Sequence, residues 1–559
     1  MLGLFDRPAD EKALETLLKP PAIRGLTESL ADLSRTEWQR ILAKLRRTRL
    51  LGGEDPRNPG QLDTHPLIRE YYGEQLRSQR TEAWKECNRR LFYYYRTLAP
   101  RLPESFGEME PLFLAVICGC NAGLFHEALQ EVYIPRIQRK NAFFASNILG
   151  ARGALLSVLV HFFKNGRWGS PVERGVEGQG LTAEDQLFIL MQAGLYLAAT
   201  RGGAQEARIC YERAEYLSHS LNRPLLLYSA LMGQWRYSHA TEKLTATIEI
   251  AQRVYSLARE QNDSALLIGA YNALAGTLYF MGDFESAHEY AIRGAQTWRS
   301  EIVRSHKRAI KLLPVSTDAA DGVQEVGGSA VSVLCYEAQA KWHLGEMASS
   351  QATVQEAVSL AKEMNDMHGL VVALWHAAIF AYYEGNPAEV ERLASNSIGL
   401  STRHHFAHWL PQGEVLRGWA RSISGDVTEG ISWIIEGTKD FLAIGGLRGL
   451  PFFLALKAEA LQLEDRSFEA LEAITEAEGL VERSEERLWS TDLHRLRGVL
   501  LTAMAGDETQ IEASFCQAIR TAKQQKSTAL EKRAQATYAE YHRQKASASG
   551  GRGFRLSLW

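Results

Sequence analysis

Cys118 and Cys120 flank a single glycine, a spacing at which two thiolates could share a zinc ion. No second Cys or His pair follows at zinc spacing, and the pair closes an apolar stretch, so core packing is the expectation. His404-His405-Phe-Ala-His408-Trp409 offers imidazoles at positions i and i+4, which share a face on a helix. With no carboxylate or cysteine nearby to complete a site, a structural or partner-contact role is expected there. Arg40, Lys44, Arg46, Arg47 and Arg49 form a basic cluster able to meet phosphates, with Arg46, Arg47 and Arg49 as the nucleic-acid candidates. Glu54 and Asp55 follow at once and weaken that field. No nucleophile elbow, HExxH run or glycine-rich dinucleotide loop occurs, so no catalytic residue, metal or cofactor is expected.

The elements that carry these residues repeat. Gly345, Gly385, Gly425 and Asp465 recur 40 residues apart, and Gly506 follows after 41. Each opens a segment such as Gly282-Asp-Phe-Glu-Ser-Ala or Gly385-Asn-Pro-Ala-Glu-Val. Glycine can end a helix in the left-handed region, and the Asp or Asn after it can cap the next helix. Small residues further on (Ala287, Gly430, Ala470) let the second helix lie close to the first. A helix–turn–helix unit repeated in this way predicts an all-α, right-handed solenoid over 182–545, with eight or nine helical pairs along the chain. Weaker copies are read at Gly119-Cys-Asn-Ala-Gly and Gly203-Ala-Gln-Glu-Ala. Between Gly282 and Gly345 the spacing grows to 63 residues, which marks 299–329 as an insertion, read as a variable surface loop.

Residues 1–80 do not keep the period. Ser34, three residues before Glu37, forms a capping box ahead of a helix over 38–50. Gly52-Gly-Glu-Asp-Pro-Arg-Asn-Pro-Gly reads as a hairpin tip between Leu50-Leu51 and Gln61-Leu62, and Pro66 suits the first turn of a further helix. Helix, short hairpin, helix predicts a small winged-helix head. A helical region with degenerate repeats over 81–181 joins it to the main array, and 546–559 is a Gly/Ser-rich tail expected to be disordered.

The chain of 559 residues exceeds one compact core, and 45% hydrophobic with 23% charged residues is ordinary for a soluble protein. A net charge of -3 gives no general reason to bind nucleic acid or acidic lipid. The start MLGLFDRPAD lacks a signal-peptide pattern, and apolar runs such as 154–163 are about half the ~20 residues of a membrane helix. A reduced, cytoplasmic setting without membrane contact is the expectation for its six cysteines.

The array resembles the tetratricopeptide repeat, in a long-helix form like that of maltose-activator-type proteins. Together with Thr64-His65-Pro66-Leu67-Ile68-Arg69, Trp84, Arg90-Leu-Phe-Tyr-Tyr-Tyr, Met109-Glu-Pro-Leu-Phe and Ile134-Pro-Arg-Ile, it resembles the C-terminal part of bacterial STAND-type signalling ATPases. In that family a Leu-His-Asp-Leu-hydrophobic-Arg motif sets its histidine against the phosphates of bound ADP. His65 and Arg69 match it, with Pro66 where the aspartate stands, and the resemblance so implies a vestigial nucleotide sensor at His65 and Arg69. No G-x-x-x-x-G-K-[ST] occurs, so the chain is read as lacking the ATPase module, as a stand-alone derivative, a split gene product or a fragment. The resemblance implies a non-catalytic scaffold or sensor that binds a protein or peptide on its concave repeat surface and regulates a separately encoded ATPase or cyclase. A transcription regulator using the winged helix on DNA is the alternative, although nucleic acid is not the expected partner.

Overall fold

Four turns set the rhythm of the array. Gly282, Gly345, Gly385 and Gly425 sit at φ of 78, 94, 67 and 113°, a region that costs a residue with Cβ about 1 kcal/mol or more. Where the period falls on Asp465, that residue adopts the same region at φ 57°, and beside Gly506 it is Ala505 at 51°. Asp283, Asn386 and Asp507 then accept a backbone N–H of the next helix through Oδ1, at 3.1, 3.2 and 3.0 Å. Asp426 does not cap; its carboxylate takes Arg421 instead, at 3.2 Å.

The computed structural model describes all residues except 6, 32, 55–57, 59, 141–142, 148, 150, 175–179, 202–204, 306–325, 405 and 548–559. It divides into two units, Met1–Ala193 and Gly194–Trp559. The fold is the expected all-α helical-repeat solenoid; among the described residues β pairing is confined to isolated bridges.

In the first unit α1 (Glu11–Leu18), α2 (Arg35–Arg47) and α3 (Pro66–Gln79) precede α4 (Thr81–Leu98) and α5 (Phe106–Asn121). α6 (Phe125–Glu127) runs into a π-helical segment, Ala128–Ile137, and α7 (Phe144–Asn147) and α8 (Arg152–Leu159) follow. Two arginines tie loops to helices through backbone carbonyls. Arg90 donates to the carbonyls of Leu17, Lys19 and Pro21, and Arg136 to those of Arg96, Ala99, Pro100 and Arg101. The capping box at Ser34 and Glu37 is formed, but α2 ends at Arg47 rather than at Leu50 because Arg49 turns to φ 58°. Leu62 pairs with Ala9, and Gly52 N–H donates to Asp63 O at 2.9 Å. The tip of the expected hairpin lies outside the described residues.

α9 (Ala183–Arg201) contains the division between the units. Among the described residues of the second unit α10 (Gln205–Ser220) precedes seven helical hairpins. They are α11 (Pro224–Thr241) with α12 (Leu244–Gln261), α13 (Ser264–Met281) with α14 (Phe284–Ser305), and α15 (Val326–Leu344) with α16 (Met347–Glu363). α17 (Met367–Tyr383) with α18 (Pro387–His404), α19 (Leu410–Ile423) with α20 (Val427–Ala443), α21 (Leu450–Leu463) with α22 (Ser467–Ser484), and α23 (Ser490–Ala503) with α24 (Glu508–Gln524) complete them, and α25 (Thr528–Ser547) closes the series. The first helix of each hairpin is the buried one: α17 buries fourteen of its residues and α18 five. Of the described helices only α13 is long and apolar enough to cross a membrane, and 67% of it is buried inside this core.

Hairpins far apart in sequence also meet. Arg448 donates to the carbonyls of His239 and Glu242 at 2.8 Å each, and Leu447 N–H to that of Ala240. Glu485 caps Thr245 N–H, and the ring of His343 meets Ser527 Oγ at 3.1 Å. These contacts join residues 184 to 240 positions apart, about five hairpins, so successive turns of the superhelix stack on each other.

Candidate functional site

The inner face of this superhelix, expected to be open to a partner, is filled by its own side chains. Tyr382 of α17 and Trp419 of α19 donate to Oε1 and Oε2 of Glu459 on α21, at 3.1 and 2.8 Å. Arg495 of α23 approaches the same carboxylate at 3.9 Å and bonds Asp492 at 3.0 Å, and Arg533 of α25 reaches Asp492 at 3.8 Å. Aromatic stacks wall the network: Phe452 on Trp489 at 4.1 Å, Trp342 on Tyr383 at 4.0 Å and Phe284 on His343 at 3.6 Å. The five-hairpin turn is the physical reason, since it brings the first helices close enough to bury their inner residues together.

The two buried carboxylates are held differently. Burial raises the Glu459 carboxyl to about 7, and the Arg495 and Arg533 charges offset only part of that. Burial also opposes ionisation of Asp492, but the closer Arg533 and Arg495 overcome it and hold its carboxyl below the usual range. Buried imidazoles are kept neutral: desolvation lowers His343 and His376 to about 3. None of these groups meets solvent in a cleft, so the network organises the core. Sequence reading passed over Glu459, Asp492, Arg495 and Arg533. The signal for Glu459 was a lone carboxylate in the mostly apolar helix Leu450–Leu463.

An open site lies on the other face. α16 and α18 leave a groove between them whose floor is α17, enclosing ≈ 510 Å³. Leu370, Leu374 and Ala377 form the floor, and Val358 and Leu400 stand half-buried on the walls. Lys362 and Arg403, at the C-terminal ends of α16 and α18, mark one end. Glu384, just past α17, marks the other; its carboxyl is raised by burial and by neighbouring Glu389, which is itself lowered by a two-point hydrogen bond from Arg392. The groove so has an apolar floor and ends of opposite charge, which suits an amphipathic helix.

The residues singled out from sequence do not converge. Cys118 and Cys120 are buried in α5, and Cys120 is pushed up by desolvation and by Cys118. His408 packs on Phe441 and is lowered to about 4 by burial and His368; His404 stacks on Phe406, and His405 lies outside the described residues. No cluster of His, Cys, Asp or Glu able to hold a metal occurs among the described residues. His65 caps α3, its Nδ1 accepting Leu67 N–H at 3.3 Å, while Arg69 pairs with Asp63 at 3.6 Å. Arg46 pairs with Glu54 at 3.5 Å, whereas Arg47 and Arg49 are exposed beside it. Of the insertion at 299–329, the described ends belong to α14 and α15, and residues 306–325 lie outside the described residues, as does the tail from 548.

No family model matches the chain. An uncharacterized protein of Rhizobium meliloti (strain 1021) is 24% identical over 199 residues, 36% of this chain and 19% of the relative. The chain thus spans about a fifth of the length of the curated relative it matches. Among solved structures, it is similar to a STAND protein with a tetratricopeptide repeat sensor from Pyrococcus horikoshii, at 10% identity and a TM-score of 0.33 over 93% of this chain and 62% of that one. It is also similar to a Rap protein complexed with competence and sporulation factor, at 11% identity and a TM-score of 0.37 over 82% of this chain and 96% of that one.

Proposed function

We propose that the protein is a non-catalytic interaction scaffold whose array takes up an amphipathic helix of a partner protein in the groove over α17, and thereby regulates a signalling partner such as a separately encoded STAND-type ATPase or a cyclase. One observation carries this reading: the inner face is filled, while the groove between α16 and α18 stays open with an apolar floor and oppositely charged ends. A helix with apolar residues at i, i+3, i+4 and i+7 would cover the floor, with acidic residues toward Lys362 and Arg403 and basic ones toward Glu384. A photo-crosslinking residue at exposed Gln355 or Asn396 should capture one protein through such a helix, and Leu400→Arg should abolish capture. Capture that survives Leu400→Arg, or cross-links confined to other faces, sinks the groove reading.

On this reading 1–80 is a winged-helix-like head, 81–181 a degenerate repeat region, and 182–545 the working array followed by the tail. The order α2, the pairing of Leu62 with Ala9 and Gly52 with Asp63, and then α3 supports the head. His65 and Arg69 would be a nucleotide contact that no longer works alone, since His65 is engaged as a cap.

A second reading has its own observation. α2 buries only Leu42 and exposes Arg40, Lys44 and Arg47, so its free face is basic. In a transcription regulator this helix would enter the major groove. Salt-dependent duplex binding by the full chain that weakens in Arg46→Ala/Arg47→Ala would support that role, and an absence of binding at low salt would end it.

A further inference from the structure

The first unit holds a cavity of ≈ 380 Å³ between the N-terminal residues, α2 and α3, within the usual size range of small-molecule sites, roughly 300–1,000 Å³. Much of its wall is aliphatic (Leu2, Leu45, Leu50, Leu51, Ile68 and Leu76), with Thr64, Gln75 and Gln79 as neutral polar neighbours. Among its lining residues are two arginines, Arg69 and Arg80, and no carboxylate. Arg69 is mostly buried, with a side chain 13% exposed, and its Nη1 has no hydrogen bond, since the ion pair with Asp63 is too long for one at 3.6 Å. Arg80 is exposed and makes no ion pair among the described residues. At the mouth, Leu50 and Tyr72 stand 43% and 53% exposed, large apolar groups left in water.

A largely aliphatic cavity whose lining carries two guanidinium groups and no carboxylate matches an amphiphile with one anionic end. We propose that this cavity binds a medium-chain fatty acid, with the acyl chain among the leucines and the carboxylate on Arg69 and Arg80. A carboxylate would give the Arg69 guanidinium the charge-assisted partner that Asp63 supplies only at a distance. The acyl chain would cover Leu50 and Tyr72, removing apolar surface from water. The site is separate from the groove over α17 and does not depend on it.

The test is calorimetric titration of the full chain with decanoate and with decanol, both below the concentration at which they aggregate. Decanoate should bind one site about tenfold or more tightly than decanol, because the alcohol keeps the chain but loses the charge-assisted bonds. Arg69→Leu should abolish that preference. Arg80→Leu, at an exposed position, should reduce it severalfold with an unchanged melting temperature. Leu400→Arg, in the groove of the second unit, should leave decanoate binding as it is. The proposal is overturned if neither compound binds, if decanol binds as tightly as decanoate, or if Arg80→Leu leaves the preference undiminished.

Discussion

Replacing Glu459 by glutamine tests the interior of the superhelix most directly. The carboxyl titrates at about 7 in the folded chain against an ordinary value of 4.5. A carboxyl whose folded value is raised holds its proton in the native state over a window where the unfolded chain has lost it. Stability is therefore fully present below about 4.5 and falls as pH rises through 7. Each tenfold change in proton affinity is about 1.4 kcal/mol, so the whole window is worth about 3 kcal/mol, of which about 2 kcal/mol falls between pH ~5.5 and ~8. Glutamine mimics the protonated acid at every pH, keeping a carbonyl oxygen for the Tyr382 hydroxyl or the Trp419 indole N–H. Denaturant unfolding of both proteins across that range should show Glu459→Gln gaining on wild type by about 2 kcal/mol toward alkaline pH. If Glu459 instead works as a net-stabilising partner of Arg495, the variant will lose ground as pH rises. That outcome, or a difference that stays flat, refutes the reasoning.

Gly430→Ala would set a Cβ 2.3 Å from Gly418 O and 2.2 Å from Ser422 Oγ, forcing α19 and α20 apart. A loss of about 1–3 kcal/mol in unfolding free energy is expected, whereas Gly399→Ala, with nothing within 4 Å, should gain about 0.5–1 kcal/mol. Arg448→Met leaves two backbone carbonyls and the buried Glu486 without their guanidinium. A cost of about 3–5 kcal/mol is expected, together with faster proteolysis at the turns near 240 and 447, and unchanged proteolysis would argue against stacked superhelical turns. Ser34→Ala removes the side-chain cap of α2 and should lower the stability of the first unit by about 1 kcal/mol, read by hydrogen exchange in that helix.

The repeat class was legible because it depends on local rules. A glycine able to reach positive φ, a capping Asp or Asn and a small residue in the second helix are each written at fixed positions, and Gly282, Gly345, Gly385 and Gly425 turn as their spacing predicts. Local exceptions were not legible. The last turn falls on Ala505 rather than on Gly506, and Arg49 ends α2 three residues early, against the local preference of each residue.

The sequence by itself determined that this chain folds as tandem helical hairpins, since every hairpin is specified by contacts within about 40 residues. Only the tertiary structure decided how tightly the hairpins wind. That pitch brings Arg448 to His239 and His343 to Ser527, partners 209 and 184 residues apart that no periodicity links. It also decides which surface is left for function: the inner face closes over Glu459 and Arg495, and the open groove remains between α16 and α18. The small angle between successive hairpins is set by side-chain shapes at each interface, and a small change in it, multiplied over five units, separates an open channel from a filled core.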